Sequence, residues 1–185
     1  MMRSLLSLLV LVFVAIPAVA QQSKQNYEIM KLIRQEKFEL VLPGAMRDNN
    51  VDIWVHVVES GRMDPLALDL GGWTEYRAWE PVCYYVFVDH GDRIERIILG
   101  GEDVDGLYDH QGSHSELLGV IEARDPDVIA VNMSDSRGIA NGLSHTEYLR
   151  LTDSLGDKYS ERITSAENLI TDFRVRRVQR EIVAF

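Results

Sequence analysis

The densest run of potential metal ligands is GEDVDGLYDHQGSH, residues 101–114, in which Asp103, Asp105, Asp109, His110 and His114 offer carboxylate oxygens and imidazole nitrogens. A hard cation would take the oxygens and zinc the imidazoles. The calcium-loop pattern fails, because Gly106 follows Asp105 immediately and no glutamate closes the loop. His110 and His114 are four apart, but Gly112 and Ser113 interrupt any helix joining them. The segment therefore reads as a solvated polar loop, and no metal ligand is assigned. Ser144-His145 invites a nucleophile-and-base reading, yet adjacent residues at a helix start rarely have the mutual geometry of a catalytic pair. No G-x-S-x-G elbow surrounds them, so Ser144 reads as a helix cap. No catalytic residue is recognised.

Three other features have chemical potential. Trp73 and Trp79 lie in LGGWTEYRAWEPV among glycines and charges, where exposed aromatics would form a lip beside a substrate cleft. Their bland alternative is a small satellite core. Cys83, the only cysteine, sits in the apolar run VCYYVFV and is expected to be a buried, inert thiol. Asn132-Met133-Ser134 is formally a glycosylation sequon at a strand end and is taken as incidental.

These residues need elements to hold them. A helix is expected over residues 27–40, a short turn from Pro43, and a strand in VDIWVHVV. CYYVFVDHGDRIERIILGG reads as a hairpin around His90-Gly91-Asp92. Ser113/Glu116 and Ser144/Glu147 have capping-box spacing and start two helices, with Leu117, Leu118 and Ile121 buried in the first and Tyr148, Leu151 and Leu155 in the second. DVIAVNM reads as a buried strand between them, and residues 162–165 as one more. Val175, Val178, Ile182 and Phe185 recur at spacings of three, four and three, predicting one apolar stripe on a helix that runs to Phe185 without a stop signal. The expectation is α/β: a mixed β-sheet flanked by helices.

Composition narrows the partners. A basic start, an apolar run and Ala18-Val19-Ala20 describe a signal peptide cleaved after Ala20, and hence a secreted or periplasmic protein; an uncleaved anchor is the alternative. Removing residues 1–20 takes Arg3 and no acid, so the formal charge moves from −10 to −11. That balance argues against nucleic acid as a partner. The arginines at 174, 176, 177 and 180 read as a solvated helix face or a seam with an acidic neighbouring domain. With one cysteine the fold has no internal disulfide and depends on a hydrophobic core.

The segments IAVNMS at 129–134, NGLSHTEYL and ITSAENLITDFRVRRVQREI resemble the amino-terminal domain of the creatinase and Xaa-Pro aminopeptidase metallopeptidases. Arg176, Val178, Gln179, Glu181 and Ile182 occupy the pattern of that family's connecting helix, with Gln179 where lysine is often seen. EKFELVLPGAMRDNNVDIWVHVV resembles its opening helix and first strand, so the resemblance spans most of residues 28–185. It implies a ribonuclease-H-like topology. It also implies a division into a signal peptide (1–20), a creatinase-type amino-terminal domain (21–170), and the start of a helix leading into an absent pita-bread catalytic domain (171–185). The family's two divalent metal ions are held by two aspartates, a histidine and two glutamates of that following domain, so none carries over and this chain holds no cofactor. The implied role is non-catalytic: contact with a catalytic metallopeptidase domain or a homo-oligomer partner, and shaping access to the substrate cleft. A free-standing small-ligand or protein binding module of the same fold is the alternative. A hydrolase working through His110, His114 or His145 is the remaining one.

Overall fold

A computed structural model describes residues 2–72 and 80–185, with residues 2–20 given as helical backbone only. The chain runs α1 (Met2–Leu40), α2 (Leu42–Asp48), β1 (Ile53–Glu59), β2 (Val82–Asp89), β3 (Ile94–Leu99), β4 (His110–Gly112), α3 (Leu117–Arg124), β5 (Ile129–Val131), α4 (His145–Ser160), β6 (Ile163–Ser165), α5 (Glu167–Val175) and α6 (Gln179–Ala184). Among the described residues no helix is long and apolar enough to cross a membrane.

The strands form one six-stranded sheet in the order β4-β3-β2-β1-β5-β6. β1, β2 and β3 are antiparallel neighbours, with Val55 opposite Val86 and Val86 opposite Ile97. β5 runs parallel to β1 and to β6, while β4 runs parallel to β3. The expected mixed α/β sheet is therefore present, and β2–β3 is the expected hairpin.

Alternation along the strands sorts side chains to the two faces. Trp54, Val58, Tyr85 and Phe87 point to one side and pack with Phe38, Met46, Leu169 and Phe173 from α1, α2 and α5. Trp54 and Phe87 stack at 4.9 Å, and Phe38 tilts against Phe87 at 5.3 Å, within the range of favourable aromatic pairs. Ile53, Val55, Val57 and Val86 point to the other side, against Leu117 and Ile121 of α3 and Leu151, Leu155 and Tyr159 of α4. Each such aliphatic contributes about 1.5–3 kcal/mol when fully buried. Covering both faces is why β1 and β2 are almost wholly apolar.

The helix starts follow their caps with one difference. Ser113 and Glu116 make the full capping box, Ser113 N donating to Glu116 Oε1 at 2.7 Å. The Ser144 hydroxyl accepts from Glu147 N at 3.2 Å, but the Glu147 carboxylate pairs with Arg150. Glu147 is also more deeply buried than Tyr148, which is only half-buried. Gly156, at φ 66° and ψ 175°, kinks the end of α4.

Candidate functional site

The carboxy-terminal corner departs from the expected straight helix. α5 buries Leu169, Ile170 and Phe173, then stops at Val175. Arg176 has ψ 111° and Val178 ψ 156°, so the backbone is extended before α6 begins at Gln179. Val178 enters the core at 5% exposure, whereas Val175 is 62% exposed, Ile182 60% and Phe185 87%. A continuous helix would hold Val175 and Val178 on one face; the break lets Val178 turn inward while its neighbours stay out. The single stripe is thus replaced by an exposed apolar rim of Val175, Ile182, Val183 and Phe185 around a buried anchor. The expected boundary after residue 170 falls inside α5, whose Phe173 is fully buried.

The arginines of this corner are tied down within the chain. Arg174 meets Asp69 at 3.0 Å, Arg176 meets Asp48 at 2.8 Å and Asp172 at 2.9 Å, and Arg180 meets Glu36 at 2.7 Å. Arg177 pairs with Glu181 one helical turn on. Each exposed pair contributes at most about 1 kcal/mol. Arg180–Glu36 ties this corner to α1 and Arg176–Asp48 ties it to α2, while Val175, Ile182, Val183 and Phe185 stay exposed.

Between α1, α5 and α6 lies a cleft of about 410 Å³. Met30, Ile33 and Ile139 give it an apolar wall, and Arg137 and Arg174 stand at its edge. Lys37 and Glu181 line it while being 8% and 9% exposed. The Lys37 ammonium lies 4.9 Å from the centre of the Phe173 ring and donates to the Arg174 carbonyl at 3.4 Å. Burial lowers the Lys37 pKa, against the opposing pull of Glu181 and Asp69.

A second polar group lies under the sheet. His56, on the same face as Trp54 and Val58, is fully buried, and its Nε2 lies 2.8 Å from Asp64 Oδ1. The same oxygen accepts from Leu66 N at 2.8 Å and Ala67 N at 2.9 Å, fixing the turn after Asp64. Asn132 accepts from Val57 N and donates to Val57 O, each at 2.9 Å, and so closes the end of β1 where β5 has stopped. This makes Asn132 an internal bridge with no accessible amide for a glycan. A Cβ on Gly142 would fall 2.0 Å from Asp64 Oδ2, so only glycine fits there.

The polar loop is partitioned among separate tasks. Asp103 accepts from Leu107 N and Tyr108 N, Asp105 is buried against Arg34 at 2.8 Å, and Asp109 pairs with Arg96 at 3.1 Å. His110 pairs with Glu116 at 3.3 Å. His114 donates from its backbone N to Glu80 at 2.6 Å, and its Nδ1 meets the same carboxylate. Among the described residues no group of three or more His, Cys, Asp and Glu could hold a metal ion. Trp73 and Trp79 fall in 73–79, outside the described residues. Ser144 is a cap, as its spacing predicts. The Cys83 thiol is buried and burial pushes its pKa up to about 12.

No protein-family model matches this sequence, and no curated protein is significantly similar to it. Function must therefore be argued from the site itself. The sequence pattern pointed to one helical stripe of Val175, Val178, Ile182 and Phe185, without the break that buries Val178 and without Val183; it named Glu181 only as part of the connecting-helix pattern and passed over Lys37, His56 and Asp64. A lone polar residue inside an otherwise apolar strand run, as His56 is in IWVHVV, was the available signal.

Proposed function

We propose that this chain is a non-catalytic amino-terminal domain of a secreted or periplasmic Xaa-Pro-aminopeptidase-like metallopeptidase, and that the α5–α6 corner is its seam with a catalytic domain or an oligomer partner. The observation that carries the reading is the apolar rim of Val175, Ile182, Val183 and Phe185, on a corner whose charged groups are already paired within the chain. Large apolar side chains left exposed within one short segment and interspersed with charge favour an interface over solvent. The strand order supports a ribonuclease-H-like, creatinase-type topology, since β3-β2-β1-β5-β6 keeps three antiparallel strands beside two parallel ones.

In this reading two divalent metals and the hydrolytic water belong to the partner domain. This domain's part is to pack against it and wall its cleft, with the segment bearing Trp73 and Trp79 as the lip. The chain alone, supplied with manganese, is expected to leave Xaa-Pro dipeptides uncleaved. The coding region that continues from or neighbours this chain is expected to encode two aspartates, a histidine and two glutamates as metal ligands. Peptide turnover by the chain alone, or a source without such a ligand set, contradicts the reading.

A further inference from the structure

Strands β1, β3, β4, β5 and β6 run in one direction, and only β2 opposes them. At their carboxyl end β2 begins, with Val82 opposite Glu59 of β1 and Tyr84 opposite Leu99 of β3. A cleft of about 530 Å³ opens there, between the start of β2 and the amino-terminal turns of α3 and α4. In open α/β sheets this is the end at which ligands are held. Val82, Leu117 and Leu118 give the cleft an apolar wall.

Two buried polar groups of this cleft have hydrogen-bonding capacity unfilled. Tyr84 is 5% exposed, and among the described residues its hydroxyl has no hydrogen-bond partner. Glu147 is 2% exposed; Arg150 takes its Oε1, and among the described residues nothing donates to its Oε2. The unpartnered atoms sealed in the described interior are Trp54 Nε1, His56 Nδ1, Asp64 Oδ2 and Glu181 Oε2. Tyr84 Oη and Glu147 Oε2 are not among them and open into the cleft that both residues line. Burial, with the charge of Glu147, pushes the Tyr84 phenol up to about 12, so at neutral pH it keeps its proton and can donate. The Glu147 charge is itself balanced by Arg150 and by the positive end of α4, in whose first turn it stands. The cleft thus offers a donor and an acceptor to a molecule that brings no net charge.

We propose that this cleft binds a neutral alcohol with an apolar body. A hydroxyl group both accepts and donates. It accepts from the Tyr84 hydroxyl and donates to Glu147 Oε2, while the body of the molecule lies on Val82, Leu117 and Leu118. Ser115 and Ser154 line the same cleft and can serve a second hydroxyl.

Other ligand classes fit less well. A carboxylate is repelled by Glu147. An ammonium donates to Glu147 but brings no acceptor for the Tyr84 hydroxyl, and it adds a cation beside Arg150. A hydrocarbon fills the apolar wall and leaves both polar groups without water or partner, which is costly for groups so deeply buried.

The site does not depend on the aminopeptidase reading, and its test uses this chain without a partner. The backbone N–H signals of the isotope-labelled chain are followed by NMR during titration with cyclohexanol, cyclohexylammonium and cyclohexanecarboxylate, three probes that share one ring and differ in charge. Cyclohexanol is expected to shift the signals of Tyr84, Leu117, Leu118 and Glu147 saturably, with Kd below about 10 mM. Each charged probe is expected to bind at least about fivefold more weakly. The Tyr84 hydroxyl has no partner in the fold, so Tyr84→Phe is expected to melt within about 2 °C of wild type while binding cyclohexanol about fivefold more weakly. Glu147→Gln is expected to weaken it about threefold or more; should that variant fail to fold, Tyr84→Phe decides. No saturable shift at those positions up to about 50 mM cyclohexanol, a charged probe that binds as tightly, or unchanged affinity in folded Tyr84→Phe overturns the proposal.

Discussion

His56 Nε2 and Asp64 Oδ1 lie 2.8 Å apart in the interior, joining the middle of β1 to the turn that leads towards residues 73–79. Burial alone would raise the Asp64 pKa. The attraction and hydrogen bond of His56, with the N–H groups of Leu66 and Ala67, outweigh it and hold the carboxyl below its ordinary range. A depressed folded-state pKa adds stability that is fully present above the unfolded value, about 3.9, and is lost as pH falls through the folded one. Denaturant unfolding between neutral pH and pH about 3 is therefore expected to show an acid-side loss of stability, smaller in Asp64→Asn. Asp64→Ala, which strands His56 and two N–H groups, is expected to cost about 3 kcal/mol at neutral pH.

Gly142 and Asn132 are expected to be equally unforgiving. Gly142→Ala places a methyl 2.0 Å from Asp64 Oδ2 and 2.8 Å from Asn132 Nδ2. The overpacking is expected to destabilise by about 2–3 kcal/mol. Asn132→Ala leaves Val57 N and O without their bridge, with a loss of similar size, about 2–3 kcal/mol. Both are read as shifts in the urea midpoint.

Cys83 is expected to be silent in the native state. With its thiol pushed to about 12 and its side chain buried, a thiol reagent at pH about 8 should label it only on unfolding. Labelling as fast as a free peptide thiol would contradict its placement on β2.

Val178 and Phe185 separate folding from docking. Val178→Ala removes buried methyl groups and is expected to cost the isolated chain about 2 kcal/mol. Phe185→Ala, at 87% exposure, is expected to change stability by less than about 0.5 kcal/mol.

The sheet and its helices were legible because their signals are local. The β-branched and aromatic residues of VDIWVHVV, the His90-Gly91-Asp92 turn and the two serine caps each specify an element without knowledge of its neighbours. The break at residues 176–178 was not legible, because arginines 176 and 177 are good helix formers and the 3-4-3 spacing continues across them. What overrides it is tertiary: Val178 gains a place in the core, and Asp48 and Asp172 hold Arg176. The Lys37–Glu181 and Arg34–Asp105 pairs lie far apart in the chain, and their partners follow only from the fold. The acidic loop looked like one site in sequence because its ligands are contiguous; folded, each faces a different element.

The central claim is that the α5–α6 rim is an interdomain or intersubunit seam. Its most direct test is isolation of the chain from its native source through a tag placed after Ala20, with manganese-dependent Xaa-Pro hydrolysis assayed in the purified material. The seam predicts that activity accompanies the wild-type chain. It also predicts that activity falls by at least about tenfold in Val175→Asp/Ile182→Asp/Phe185→Asp, while the melting temperature of the isolated variant stays near wild type. A chain that carries no such activity, or a folded triple variant that retains all of it, contradicts the account.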